Sequence, residues 1–149
     1  MRALWARSIW RPDAIPPEDW KYRHLVRLWL PIYDMIAIWA GVHAVAYGSD
    51  LLNRLFHPVL VDVVGIVFTL AAVAALFGVS FPRLWAVEIA AKVVLVGLVA
   101  GYVTGILLFS ETPDPNLFVV GMLGWGLPMA LFRLHMLGEV IKERREGGL

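Results

Sequence analysis

PVLVDVVGIVFTLAAVAALFGVSFPRLWAVEIAAKVVLVGLVAGYVTGILLF, residues 58–109, decides the fold. Residues 58–80 carry one charged side chain, Asp62, and residues 84–109 carry two, Glu88 and Lys92. Each apolar run exceeds the roughly 20 helical residues that cross a bilayer core of about 30 Å. Only Phe81-Pro82-Arg83 joins them. So short a link makes the two helices antiparallel neighbours. Two further apolar runs, residues 25–48 and 117–137, flank this hairpin.

The expected fold is therefore all-α: one integral membrane domain over residues 1–149, a bundle of four transmembrane helices at 25–48, 58–80, 84–109 and 117–137. Residues 1–24 form a basic, Trp-rich arm and residues 138–149 a basic tail. Composition agrees, with 60% hydrophobic residues and a mean hydropathy of +0.72. A soluble domain does not hide that much apolar surface. No segment outside the spans is long enough to build a core of its own.

The net charge of +1 conceals an asymmetry. Arg2, Arg7, Arg11, Lys21, Arg23 and Arg27 lie at or before the first span. Arg83 lies between spans two and three, and Arg133, Lys142, Arg144 and Arg145 close the chain. The opposite side carries Arg54, and its second loop, residues 110–116, carries Glu111 and Asp114 with no base. Lysine and arginine collect on cytoplasmic loops, so both termini are expected in the cytoplasm. The first 24 residues show no continuous apolar run and no small-residue cleavage site, so no cleavable signal peptide is expected.

In MRALWARSIWR, residues 1–11, Trp5 and Ile9 share one helical side and Arg7 and Arg11 the other. Two readings stand: a short interfacial helix whose arginines reach anionic lipid, or a frayed basic terminus. Pro17-Glu18-Asp19 reads as a helix start. Pro31 is expected to kink span one near its cytoplasmic end. In the loop after span one, Ser49 or Asp50 can cap an amphipathic turn bearing Leu51, Leu52, Leu55 and Phe56. Pro128, after Gly121, Gly124 and Gly126, predicts a bend in span four.

Ionisable groups inside a bilayer are costly and need a partner or a water path. Counting about 1.5 Å per residue from the span ends pairs them by depth. Asp34 and Lys92 both fall roughly 10–14 Å from the cytoplasmic face. Glu88 and Arg133 are shallower on the same side, and His43 and Asp62 match on the outer side. Three interhelical contacts are expected: Asp34 with Lys92, Glu88 with Arg133, and His43 with Asp62. Glu88 and Lys92 can also bridge each other at i,i+4. Two roles fit these ions: ties that hold the helices in register, or a proton or substrate relay through Asp34 or Asp62.

Gly97, Gly101 and Gly105 recur every four residues on the side of span three opposite Glu88 and Lys92. Small residues let helix backbones approach in lipid, so this face suits packing between bundles or within one. Ala37, Gly41, Ala44 and Gly48 on span one, and Gly65, Thr69 and Ala72 on span two, read as the seams inside the bundle.

There is no cysteine, no nucleotide-binding loop, no HExxH and no serine with a base at its depth. His24 with His135 and His43 with His57 fall short of the deep, facing pair that a buried haem wants. No catalytic set, metal, cofactor or nucleic-acid partner is expected.

WRPDAIPPEDWKYRHLVRLWLPIYD, residues 10–34, followed by four tight spans and a short basic tail, resembles small four-span, holin-like membrane proteins of actinobacterial phages. The likeness is in size, layout and composition across the whole chain, without a specific motif, so no functional residue is carried over. It implies residence in the host's inner membrane, lateral self-association, and opening of that membrane for an endolysin. The buried ions depart from the plainest pattern of such proteins and favour a better-specified bundle. Two other functions stay open. One is a non-pore accessory protein, such as an exclusion or immunity factor or a subunit of a larger membrane assembly. The other is a small proton-coupled transporter with Asp34 as carrier.

Overall fold

The computed structural model describes residues 8–11, 14–15, 20, 22–47, 53, 57–109, 124, 126–139 and 142. Three helices are long and apolar enough to cross a membrane. Helix α1 covers Leu25–Tyr47, α2 covers Pro58–Ser80, and α3 covers Trp85–Phe109 after a single 3₁₀ turn, Pro82–Leu84. Helix α4 contains residues 126–139. The described residues include no strand. The first part of the fourth expected span, the amphipathic turn after span one, the second outer loop and the helix start at residues 17–19 lie outside the described residues, apart from Asn53 and Gly124.

Pro31 shapes the start of α1. Residues Leu25–Trp29 form a π-helical turn, in which the Leu30 N–H reaches back five residues to the Leu25 carbonyl. Regular α-helix follows from Leu30 to Tyr47. Proline has no N–H, so the Arg27 carbonyl loses the partner a regular helix would give it. The Trp10 indole N–H donates to that carbonyl at 3.2 Å.

The arm is thereby docked on the bundle. Residues 8–11 form turns, not the helix expected of an interfacial arm. The Ile9 N–H donates to the Ser80 carbonyl at the end of α2 at 2.9 Å. Arg27 donates from Nε to the Ile9 carbonyl at 3.1 Å and from Nη2 to the Arg11 carbonyl at 2.8 Å. With its backbone satisfied in this way, Ile9 is free to bury its side chain in protein rather than at a lipid surface. Ile9 and Ile15 join Val26, Leu30 and Val79 in one buried cluster, with Tyr22, Leu25 and Met129 against it. Trp5 and Arg7 lie outside the described residues.

Helix α2 lies at the centre, packed along both α1 and α3. Its small residues make this possible. A Cβ at Gly41 of α1 would collide with the Thr69 hydroxyl of α2 and come within 3.1 Å of the Thr69 Cα. A Cβ at Gly65 of α2 would lie 2.9 Å from a Val45 methyl of α1. These are the seams that the sequence marks on spans one and two. Ala72 and Ala75 of α2 and Ala91 and Leu95 of α3 form the other buried cluster, with Ala37, Ile38 and Phe68 against it. Where lipid offers no hydrophobic drive between helices, such close packing supplies much of the attraction.

The α2–α3 hairpin is closed by backbone bonds. Phe81 N–H donates to the Phe77 carbonyl at 3.0 Å, and Leu84 N–H donates to Phe81 at 2.8 Å. Pro82 opens the 3₁₀ turn, where its missing N–H costs nothing. At the other end of α2, Pro58 occupies the first turn and Val59 N–H donates to His57 Nδ1 at 3.4 Å. His57 is thus a helix cap.

The outer faces are apolar. Trp39, Leu70 and Leu108 are 63%, 63% and 70% exposed. The hydroxyls of Thr69 and Thr104 donate back to the Gly65 and Ala100 carbonyls, each at 2.8 Å, so neither needs water. A surface of this kind suits lipid.

Candidate functional site

Four charged side chains gather between α1, α3 and α4. Asp34 comes from α1, Glu88 and Lys92 from α3, and Arg133 from α4. Lys92 Nζ donates to Asp34 Oδ1 at 3.0 Å and to Oδ2 at 3.4 Å. Asp34 is 0% exposed, and Lys92 and Glu88 are each 1% exposed. Arg133 meets Glu88 side-on, with Nε to Oε1 at 2.7 Å and Nη2 to Oε2 at 3.0 Å. The guanidinium fork matches both carboxylate oxygens, which fixes orientation as well as distance.

Local sequence sets these positions. Glu88 and Lys92 stand four residues apart on α3, so both point inward from one face. They do not pair with each other. Each reaches a different helix, Lys92 to α1 and Glu88 to α4. Gly78 of α2 lies behind Glu88, where a Cβ would come within 2.7 Å of the Glu88 Cα and 2.9 Å of its N. The absence of a side chain at 78 lets the first turn of α3 sit against α2. Tyr33, beside Asp34, donates its hydroxyl to the Gly126 carbonyl of α4 at 3.0 Å. Tyr33 and Gly78 went unmarked in the sequence, as did the capping role of His57. Tyr33 was findable by its place next to an acid within an apolar run. Gly78 was findable only by the shortness of the hairpin link.

The arrangement is neutral, two acids against two bases. No buried side-chain nitrogen or oxygen among the described residues lacks a hydrogen-bond partner. Buried ions cost several kcal/mol each to desolvate, and paired geometry of this quality is what offsets that. Chemically the quartet is suited to holding three helices in fixed register.

The third expected contact is not made. His43 and Asp62 are both exposed and do not bond each other. The His43 ring lies in an aromatic ladder along α1, with centroids 4.2 Å from Trp39 and 5.3 Å from Tyr47. Gly41 faces α2, so His43, two residues on, is turned about 200° away from it. On α2, Val61 and Gly65 take the inward face and leave Asp62 outside it. His57 is taken up in capping α2. His24 and His135 are both exposed.

Gly97 and Gly101 are exposed and Gly105 half-buried, and a Cβ at any of the three would meet nothing within 4 Å among the described residues. The glycine face of α3 therefore looks outward, opposite the charges. Among the described residues no group of three or more His, Cys, Asp or Glu is placed to hold a metal ion. Comparison with protein-family models, curated proteins and solved structures finds no match.

Proposed function

We propose that the chain is a holin-like protein of the bacterial inner membrane. In this reading it crosses the membrane four times with both termini in the cytoplasm. It associates laterally with its own kind and permeabilises the membrane in host lysis. The observation that carries the reading is the open glycine face of α3. Among the described residues nothing lies within 4 Å of a Cβ placed at Gly97 or Gly101, and the charges lie on the other side. Small residues on a lipid-facing helix are the usual basis for close helix association in bilayers. The basic excess at the two termini supports the orientation. Anionic lipid is the natural partner of the basic arm, where Arg23 stands 5.1 Å over the exposed Trp20 ring. Reporter fusions after Gly48 and Ser110 should read as external, and fusions after Ser80 and Leu149 as cytoplasmic. The activity is tested by inducing the chain alone with a potential-sensitive dye, then with an endolysin. Depolarisation followed by lysis supports the proposal. Steady potential at high expression rejects it.

A second reading, a non-pore accessory protein, draws on a different observation. Both ion pairs are complete, and the end of the bundle bearing Ser80 is covered by Ile9. A bundle so finished in itself also suits an exclusion or immunity factor, or a subunit of a larger assembly. A proton-coupled carrier role for Asp34 is less well supported, because both its oxygens engage Lys92.

A further inference from the structure

Trp10 and Arg27 hold each other reciprocally. The indole N–H takes the Arg27 carbonyl, whose partner in a regular helix would be the N–H that Pro31 lacks, and the guanidinium of the same residue takes the carbonyls on either side of Trp10. One residue of α1 thus grips the arm by both its backbone and its side chain. The bonds from Trp10 Nε1 and Arg27 Nη2 are exposed, and that from Arg27 Nε is only part-buried. Exposed bonds over a small apolar contact belong to the low-stability end of a structure, which opens before the core does. The turn that carries Arg27 is also the π-helical one. Such turns are rare within α-helices and frequent at functional sites.

We propose that residues 8–11, together with Ile15, are a latch over this end of the bundle, engaged through the Trp10–Arg27 clamp, and that its release frees the bundle to permeabilise the membrane. The second half rests on the permeabilising function proposed above. Engaged, the latch ties α1 to the end of α2 through Ile9 and Ser80, and fills the cluster of Val26, Leu30 and Val79. Released, Arg27 loses these three bonds together and nothing in the arm selects the π turn. A regular helix through residues 25–29 would then turn everything before it by about 100° relative to Asp34.

The chain has no cysteine, so an introduced thiol reports alone. Ile9→Cys is labelled with a membrane-impermeant maleimide on inverted vesicles, with Arg27→Gln or Trp10→Phe as release variants. The expected result is slow labelling in the Ile9→Cys parent, about tenfold faster with Arg27→Gln, which removes two bonds, and less so with Trp10→Phe. Depolarisation should begin earlier in both release variants. It should be delayed when Ile9→Cys is crosslinked to Val79→Cys. Equal labelling in parent and release variants overturns the latch. Faster labelling with unchanged onset, in a chain that does depolarise, overturns its regulatory role. If no variant depolarises while labelling behaves as expected, the latch stands as a two-state element and the permeabilising reading falls instead.

Discussion

Gly78 of α2 lies against the backbone of Glu88 of α3, so near that a methyl at 78 would sit 2.7 Å from the Glu88 Cα. The contact sets how close the hairpin helices come just where the Glu88–Arg133 pair begins. Gly78→Ala must push the first turn of α3 away, because backbone cannot swing aside as a side-chain tip can. Glu88 would move with it and lose its two-pronged fit to Arg133. A loss of roughly 1–3 kcal/mol is expected, as for other overpacked cores. Thermal unfolding in detergent measures it, and an unchanged midpoint would show that the hairpin has room to spare.

The two sets of glycines should behave oppositely. Gly41→Leu drives a side chain into Thr69 and Phe68 and should split the α1–α2 seam. Gly101→Leu meets nothing among the described residues and should leave folding intact. If bundles associate through that face, Gly101→Leu should weaken crosslinking between copies while the folded fraction stays near wild type. Equal destabilisation by both changes would place the face of α3 inside the bundle. Unchanged crosslinking would remove it as an interface.

Arg133 should not tolerate lysine. An ammonium keeps the charge but supplies one point of contact where the guanidinium supplies two. Arg133→Lys should cost about 1–2 kcal/mol, and Arg133→Met more, because Glu88 is then buried without a cation. Glu88→Gln combined with Arg133→Met should recover part of that loss. Guanidinium-free chemical denaturation of the detergent-solubilised protein provides the comparison.

Much of this was legible in the sequence because depth in a bilayer is nearly a count of residues. Three helices long and apolar enough to cross a membrane, and the tight α2–α3 hairpin, follow from apolar length and a three-residue link. The Asp34–Lys92 and Glu88–Arg133 pairs follow from matched depth and opposite sign. His43 and Asp62 show where that method ends. Their heights match, but height says nothing of rotation about the helix axis, and rotation is set by the small residues that must face a neighbour. Gly41 turns His43 outward, and Val61 with Gly65 leaves Asp62 off the seam. The arm shows a related limit. Its Trp and Arg pattern leaves an interfacial helix and a frayed terminus equally open, and the turn at residues 8–11, held by Trp10 on the Arg27 carbonyl, is a tertiary contact that no local pattern marks.

We read the buried charges as structural ties, with Lys92 on α3 answering Asp34 on α1. A double-mutant cycle on this pair tests it most directly, read as unfolding free energy in detergent or bicelles. Lys92→Leu and Asp34→Asn should each destabilise, Lys92→Leu by about 3–5 kcal/mol because it leaves a buried carboxylate without its cation. The double change should recover well over the cycle's usual error of about 0.5 kcal/mol. Simple addition of the two single losses would show that Asp34 and Lys92 are not coupled and do not tie α1 to α3.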